Sequence, residues 1–176
     1  MKRVDLLRKN ITIISSFILC IALSTIIYIV VNNNTKPTVS PENIELKELI
    51  NSDVTQIKFS EKPTVLVFFT SWCPYCNEDA PKIVSLYEKY KDKVNIYGIN
   101  PIYRDGVSEV EQFVKKYNID YPVLLDETGA FYKHYGEPGF PTLYFIDSEG
   151  EVLDQIIGST DLEVIESSFN ILIEYF

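Results

Sequence analysis

The 176-residue sequence is poor in the residues on which several protein classes depend. Its three cysteines are too few for a disulfide-stapled secreted scaffold, and its one histidine, His134, excludes a His-rich metal site. Lys and Arg number 16 against 25 Asp and Glu, so the formal charge of −9 excludes a basic nucleic-acid-binding surface as the main role. Apolar residues, by contrast, make up 46% of the chain, which is enough for a folded core.

The N-terminal region lacks charge from Ile11 to Val31, and these 21 residues are long and apolar enough to cross a membrane as a helix. Residues 1–10 carry a net charge of +3, whereas Lys36 is the only charged residue in 32–40. The positive-inside rule then places the N-terminus in the cytoplasm and the rest of the chain outside. We therefore predict a cytoplasmic segment at 1–10, a single-pass transmembrane anchor at 11–31 and a linker at 32–40.

Two other interpretations of this segment stay open. Ala22-Leu23-Ser24 resembles a signal-peptidase site, but the apolar run continues to Val31, so cleavage there would cut the span in the middle. Cys20 would be the anchor of a lipoprotein, although Leu19 is not the small residue expected before such a cysteine. In a transmembrane helix Cys20 is a small apolar packing residue.

Residues 41–176 alternate between helix and strand patterns. Ser40-Pro41-Glu42 predicts the start of a short helix to Leu49, and Thr55–Phe59 an edge strand. The apolar run Thr64 to Thr70 predicts a strand buried on both faces. The alternation predicts one α/β domain, a central mixed sheet with helices on both faces. Further helices are predicted at 77–90 and 108–117, and a last helix is predicted to follow Thr160. The last two each begin with a predicted capping box, Ser108–Glu111 and Thr160–Glu163. Further strands are predicted at 94–99, 123–125, 142–146 and 152–157.

The residues that carry chemistry are Trp72-Cys73-Pro74-Tyr75-Cys76, between the buried strand and a helix. Two cysteines at this spacing can close a small disulfide ring, and in the dithiol state the helix N-terminus stabilises a Cys73 thiolate. We expect Cys73 to be the exposed thiol of the pair, and Cys76, one turn further on, to be more buried and placed to resolve a mixed disulfide. Zinc needs four ligands and no second Cys pair exists, while a structural disulfide usually closes a longer loop. The motif therefore indicates redox catalysis.

The chain resembles the thioredoxin superfamily in three features: this motif, Pro81 in the helix that follows it, and the later sequence Gly139-Phe140-Pro141-Thr142. Within it the chain is similar to the membrane-anchored TlpA/ResA-like thiol–disulfide oxidoreductases of bacteria, whose extra helix and strand match 108–117 and 121–126. The resemblance implies a thioredoxin-like fold with no organic cofactor and no metal, and a cis bond before Pro141. It also implies a substrate groove lined by Trp72, Pro74, Tyr75, Phe140 and Pro141.

Three features depart from the family pattern. Val67 stands where thioredoxins have a buried Asp; ResA-like proteins carry an acidic residue three positions after the second cysteine, where this chain has Asp79. Asp79 is thus expected to be a general acid/base, the alternative being an exposed helix charge. The Pro74-Tyr75 dipeptide resembles that of glutaredoxins, which leaves the direction of electron flow open. The N-terminal β-hairpin usual in the family is poorly marked before Phe59.

Taken together, these features lead us to expect a monomeric, membrane-anchored oxidoreductase that exchanges disulfides with extracytoplasmic proteins. The resemblance implies reduction, as in cytochrome c maturation, with a membrane-embedded thiol carrier as electron partner. The alternatives are a disulfide-forming oxidase or isomerase of secreted proteins, and a non-catalytic module that binds copper through the CxxC thiolates. His134 is expected to be solvated, and Arg104-Asp105-Gly106 to be a surface loop.

We predict that the protein fractionates with membranes and that protease added to intact spheroplasts digests residues 41–176, because the positive charge precedes the apolar segment. A domain that stays protected until lysis would reverse the predicted orientation. A soluble form cut after Ser24 would favour the signal-peptide interpretation.

Overall fold

The computed structural model describes residues 21, 23–25 and 43–175. The predicted segments 1–10 and 32–40, and most of the predicted anchor 11–31, lie outside the described residues. Among the residues that are described, no helix has both the length and the apolar character needed to cross a membrane. We refer to residues 43–175 as the folded domain.

One mixed β-sheet organises the folded domain. The strands within residues 43–175 are β1 (Leu46–Glu48), β2 (Val54–Thr55), β3 (Thr64–Phe68), β4 (Asn95–Asn100), β5 (Val123–Leu125), β6 (Thr142–Ile146) and β7 (Val152–Ile157). The helices in that range are α1 (Pro74–Tyr90), α2 (Val107–Tyr117), α3 (Ala130–His134) and α4 (Leu162–Glu174), with 3-10 turns at Phe59–Glu61 and Ile102–Arg104. The sheet order is β2-β1-β5-β4-β3-β6-β7.

Strand β3 is an interior strand of the sheet, and every one of its residues is buried. It pairs parallel with β4 and antiparallel with β6, and β6 forms the predicted antiparallel hairpin with β7. Val65 and Val67 pack with helices α1, α2 and α4 on one face, while Leu66 and Phe68 pack with α3 on the other. This arrangement confirms the predicted α/β fold with a central mixed sheet and helices on both faces.

The start of the domain differs from the prediction. The helix expected to end at Leu49 is wrong, because this segment forms strand β1. Leu46 pairs with Thr55 of β2 on one side, and Lys47 pairs with Leu125 of β5 on the other, all antiparallel. Pairing on both sides satisfies the backbone groups of this segment, which outweighs a local helix-start signal. The N-terminal hairpin that the sequence marks poorly is therefore present.

The second face of the sheet also holds elements that the sequence did not indicate. The predicted edge strand Thr55–Phe59 covers only Thr55, because Phe59 enters a 3-10 turn that buries its ring. Helix α3 was not predicted; it begins after Gly129, which has a positive φ of 70°. His134, at its end, is exposed as expected. The buried rings of Phe59, Phe131 and Tyr132 pack on this face of the sheet and hold these elements against it.

Both predicted capping boxes are wrong. Gly106 is the N-cap of α2 and makes no side-chain cap, and the Ser108 hydroxyl donates to Glu109 instead. Asp161, not Thr160, is the N-cap of α4, again without a side-chain cap. The N-cap of α2 therefore lies two residues before the expected Ser108, that of α4 lies one residue after the expected Thr160, and the expected caps are not formed.

Candidate active site

The register between β3 and β6 brings the CxxC motif to the residues before β6. Phe68 lies opposite Thr142, so the chain after Phe68 and the chain before Thr142 leave the sheet at the same edge. Cys73 is the N-cap of α1, and its Sγ accepts a hydrogen bond from the backbone N–H of Cys76 at 3.4 Å. Its thiol donates to the carbonyl of Phe140, also at 3.4 Å. The helix N-terminus and the Phe140–Pro141 segment therefore meet at one sulfur atom.

The two cysteines are free thiols and both are buried, with 4% of Cys73 and 3% of Cys76 exposed. The expectation that Cys73 is the exposed member of the pair is therefore wrong. Burial raises the pKa of the Cys76 thiol, and the hydrogen bond with Cys73 and the charge of Asp79 act in the same direction. Cys76 thus keeps its proton strongly, which supports Cys73 as the attacking sulfur.

Asp79 is fully buried, so it is not an exposed helix charge. Its Oδ1 accepts hydrogen bonds from Lys82 Nζ at 2.7 Å and from Ser159 Oγ at 2.5 Å, whereas its Oδ2 has no hydrogen-bond partner among the described residues. Lys82 also donates to the Thr160 carbonyl at 2.7 Å, and the hydrogen bond to Asp79 raises the pKa of its ammonium group. One carboxylate oxygen is held and the other is left available.

A small cavity of about 10 Å³ joins Asp79 to the redox motif. It is lined by Cys76, Asp79 and Pro141 together with apolar side chains, and its volume is at the lower limit of the space that one water molecule needs. The side chains that complete the lining are Val67, Phe69, Ala80, Ile83, Phe113 and Tyr121. A carboxylate and a thiol thus face the same small space.

The predicted groove residues surround the buried sulfur of Cys73. Trp72, Pro74 and Tyr75 are exposed, and the Phe140–Pro141 bond is cis, as the resemblance implied. The rings of Trp72 and Phe140 meet edge to face with centroids 6.2 Å apart. The structure therefore brings Trp72 and Phe140 together beside Cys73, whereas Pro141 is buried and lines the small cavity with Cys76 and Asp79.

The loop expected to lie at the surface has a structural role, because the Asp105 carboxylate holds the turn before the CxxC motif. It accepts hydrogen bonds from the backbone N–H and the hydroxyl of Ser71, both at 2.6 Å, from Asn100 Nδ2 at 3.0 Å and from the Gly106 N–H at 2.9 Å. Asn100 is the last residue of β4, so Asp105 ties the redox turn to the sheet. Ser71 and Asp105 lie 34 residues apart, and no local pattern could have linked them.

A second side chain, Asn77, holds the same turn from within α1. Its Nδ2 donates to the carbonyls of Ser71 at 3.0 Å and Cys73 at 2.8 Å. Its Oδ1 accepts from the Tyr117 hydroxyl at 2.7 Å and from Lys116 Nζ at 3.0 Å, both on α2. The redox turn is therefore fixed by two polar side chains from different elements.

Metal ligands are scarce around this site. Within the part of the chain that the structure describes, no group of three or more His, Cys, Asp or Glu side chains is arranged to hold a metal ion. The chemistry that the described groups can supply is that of two thiols, a buried carboxylate and a positively charged helix end.

Comparison with known proteins matches residues 27–170 to the Redoxin family model. The thiol-disulfide oxidoreductase ResA of Bacillus thuringiensis is 33% identical over 125 residues, which cover 70% of this chain and 71% of that protein. The sporulation thiol-disulfide oxidoreductase A of Bacillus subtilis is 28% identical, covering 69% of this chain and 74% of that protein. The crystal structure of StoA from Bacillus subtilis, at 28% identity, covers 76% of this chain and 99% of its own, with a TM-score of 0.65. The soluble secreted antigen MPT53 of Mycobacterium bovis is 27% identical and covers 76% of each chain.

We predict that Asp105→Asn lowers the free energy of unfolding by about 2 kcal/mol, because donors from Ser71 and Asn100 lose their charged acceptor. Urea titration measures the change. Asp120→Asn is the matched control, since Asp120 is exposed. Equal stability of the two variants would show that the Asp105 carboxylate does not hold the turn.

Proposed function

The chain belongs to the Redoxin family and is a ResA-like thiol–disulfide oxidoreductase of the thioredoxin superfamily, and we propose that it reduces disulfides in extracytoplasmic proteins through Cys73 and Cys76. The observation that carries the proposal is the position of Cys73 as N-cap of α1, where its sulfur accepts the Cys76 N–H. A thiolate at this position gains from the helix dipole and from that hydrogen bond.

The exchange proceeds in two steps. The Cys73 thiolate attacks one sulfur of the substrate disulfide, the substrate S–S bond breaks, a mixed disulfide forms and one substrate thiolate leaves. Cys76 then loses its proton and attacks the Cys73 sulfur, which breaks the mixed bond and releases the second substrate thiolate. The substrate gains two electrons and the protein is left with a Cys73–Cys76 disulfide. A membrane-embedded thiol carrier returns the two electrons.

Asp79 takes the proton of Cys76 during the second step. The raised pKa of the buried Cys76 thiol makes this proton the hardest one to remove. Asp79 and Cys76 line the same cavity of about 10 Å³, which is at the lower limit for one bridging water. The Asp79 Oδ2 atom, which has no hydrogen-bond partner among the described residues, is the acceptor in this step.

The groove around Cys73 binds the substrate chain. Phe140 lies against the Cys73 thiol, and the exposed Trp72, Pro74 and Tyr75 complete the rim. The similarity to the secreted antigen MPT53 supports an extracytoplasmic site of action, and the apolar run 11–31 supports a membrane anchor. Cytochrome c maturation is the process in which such a reductase would act.

The direction of electron flow is tested by the reduction potential of the Cys73–Cys76 pair, measured in glutathione or dithiothreitol redox buffers. A reductase should have a potential below about −200 mV, in the range of thioredoxin and glutaredoxins. A potential near −180 to −120 mV, roughly that of protein disulfide isomerase or a strong oxidant, would favour the disulfide-forming alternative. An insulin reduction assay with and without Cu(I) separates catalysis from copper binding.

For the roles of the two cysteines, we predict that Cys73→Ser abolishes exchange and that Cys76→Ser accumulates mixed disulfides. The Cys76→Ser variant keeps the Cys73 thiol that attacks the substrate disulfide, but it lacks the thiol that releases the mixed disulfide. Alkylation of the reduced protein at mildly acidic pH, read by peptide mapping, should label Cys73 before Cys76, whose thiol pKa is raised by burial. Earlier labelling of Cys76 would reverse the two roles.

For Asp79, we predict that Asp79→Asn slows release of the mixed disulfide by roughly 100-fold at pH 7, the lower end of what a general base contributes. The rate should then rise with pH as hydroxide replaces the missing base. Glu78→Gln is the matched control, because Glu78 is the neighbouring helix carboxylate with a side chain that is 60% exposed. If Asp79→Asn and Glu78→Gln show the same pH profile as the unmodified protein, Asp79 is not the proton acceptor.

A further inference from the structure

The folded domain contains a single arginine, Arg104, and it stands beside the redox motif. The exposed side chain places its guanidinium carbon 5.4 Å from the ring centroid of Phe140 and 5.7 Å from that of Tyr132. Its Nη1 donates to the Tyr132 hydroxyl at 2.9 Å. A guanidinium has five N–H donors, so this bond leaves most of them available.

The cation is held in place by a rigid group of rings. Tyr132 is buried and donates its hydroxyl proton to the Pro138 carbonyl at 2.6 Å. Phe140 stacks on Tyr132 with centroids 5.4 Å apart and planes 20° from parallel. The indole N–H of Trp72 donates to the Arg104 carbonyl at 2.9 Å, so Trp72 and Phe140, two residues of the groove, both contact Arg104.

No carboxylate within residues 43–175 forms an ion pair with this guanidinium. Several lysines of the domain likewise form no ion pair, but Arg104 is the cation that lies against Phe140 and Trp72 beside Cys73. The neighbouring Asp105 is occupied by donors from Ser71, Asn100 and Gly106. In a protein with a formal charge of −9, an unpaired arginine at the groove is available to an anionic ligand.

We propose that Arg104 is a specificity-determining residue that pairs with an acidic side chain close to the cysteine of the substrate chain. This inference rests on the proposed disulfide exchange at Cys73. The Phe140 carbonyl is 3.4 Å from the Cys73 sulfur, and Arg104 lies over the ring of the same Phe140. An extended chain advances about 3.3 Å per residue, so an Asp or Glu within about three residues of the substrate cysteine can reach the guanidinium. A planar guanidinium can bind a carboxylate with two parallel hydrogen bonds.

The test uses three disulfide-linked peptides that differ only in the residue two positions from the cysteine, which is Asp, Asn or Lys. The full chain should reduce the Asp peptide with a kcat/KM about fivefold above that for the Asn peptide, the upper range of an exposed ion pair, and should act least on the Lys peptide. In the Arg104→Gln variant, the ratio of kcat/KM for the Asp peptide to kcat/KM for the Asn peptide should fall to about one. The preference of the unmodified protein should also weaken as salt is raised.

Lys93→Gln is the matched control, because it removes one exposed positive charge just before β4. That position is at the N-terminal end of β4, whereas the redox motif follows the C-terminal end of the parallel strand β3. This variant should keep the preference for the Asp peptide. An unmodified protein without a preference, or an Arg104→Gln variant that loses kcat/KM equally on all three peptides, would overturn the role of Arg104 while leaving disulfide exchange intact. Absence of exchange with every peptide would instead overturn the proposed function and this inference with it.

Discussion

The antiparallel pairing of β3 with β6 is the constraint on which the active site depends. Because Phe68 faces Thr142, the motif that follows one strand meets the turn that precedes the other, although Cys73 and Phe140 are 67 residues apart. A slip of one residue would turn the side chains of β3 to the opposite faces of the sheet. Both faces are packed with large apolar groups, so such a slip would bury the wrong set on each side. The two-sided core therefore fixes the distance between the Cys73 sulfur and the Phe140 carbonyl.

Two carboxylates near the motif differ in how completely they are bonded, and this difference separates their roles. Both oxygens of Asp105 accept hydrogen bonds from the surrounding turn, so its charge is used to hold structure. Asp79 is more deeply buried, yet its Oδ2 has no hydrogen-bond partner within the described residues. An unsatisfied buried oxygen is costly, so a polar partner is expected for Asp79 Oδ2. In the proposed mechanism that partner is the Cys76 thiol, which lines the same cavity of about 10 Å³.

Local patterns were enough to predict the strand, motif and helix around Cys73, because apolar runs, turn residues and cysteine spacing act over a few positions. The cis bond before Pro141 followed from the family resemblance. The contacts of Asp105 and Arg104 could not be predicted, since each depends on partners more than 25 residues away, such as Ser71 and Tyr132. Strand β1 was mistaken for a helix for the same reason: its hydrogen bonds go to distant strands, which local propensity does not reveal.

The sulfur chemistry and the groove are built from nearly separate parts of the domain. Reactivity depends on the N-terminus of α1 and on Asp79, which is held by Lys82 and Ser159. The groove depends on rings and a guanidinium held by Tyr132, on the other face of the sheet. The two parts meet at the carbonyl of Phe140, which the Cys73 thiol contacts. Pro141 belongs to both parts, because it also lines the cavity with Cys76 and Asp79. If the proposed groove binds the substrate chain, substitution of Trp72 or Arg104, which are not in the lining of that cavity, changes which chains dock and leaves the environment of Cys76 unchanged.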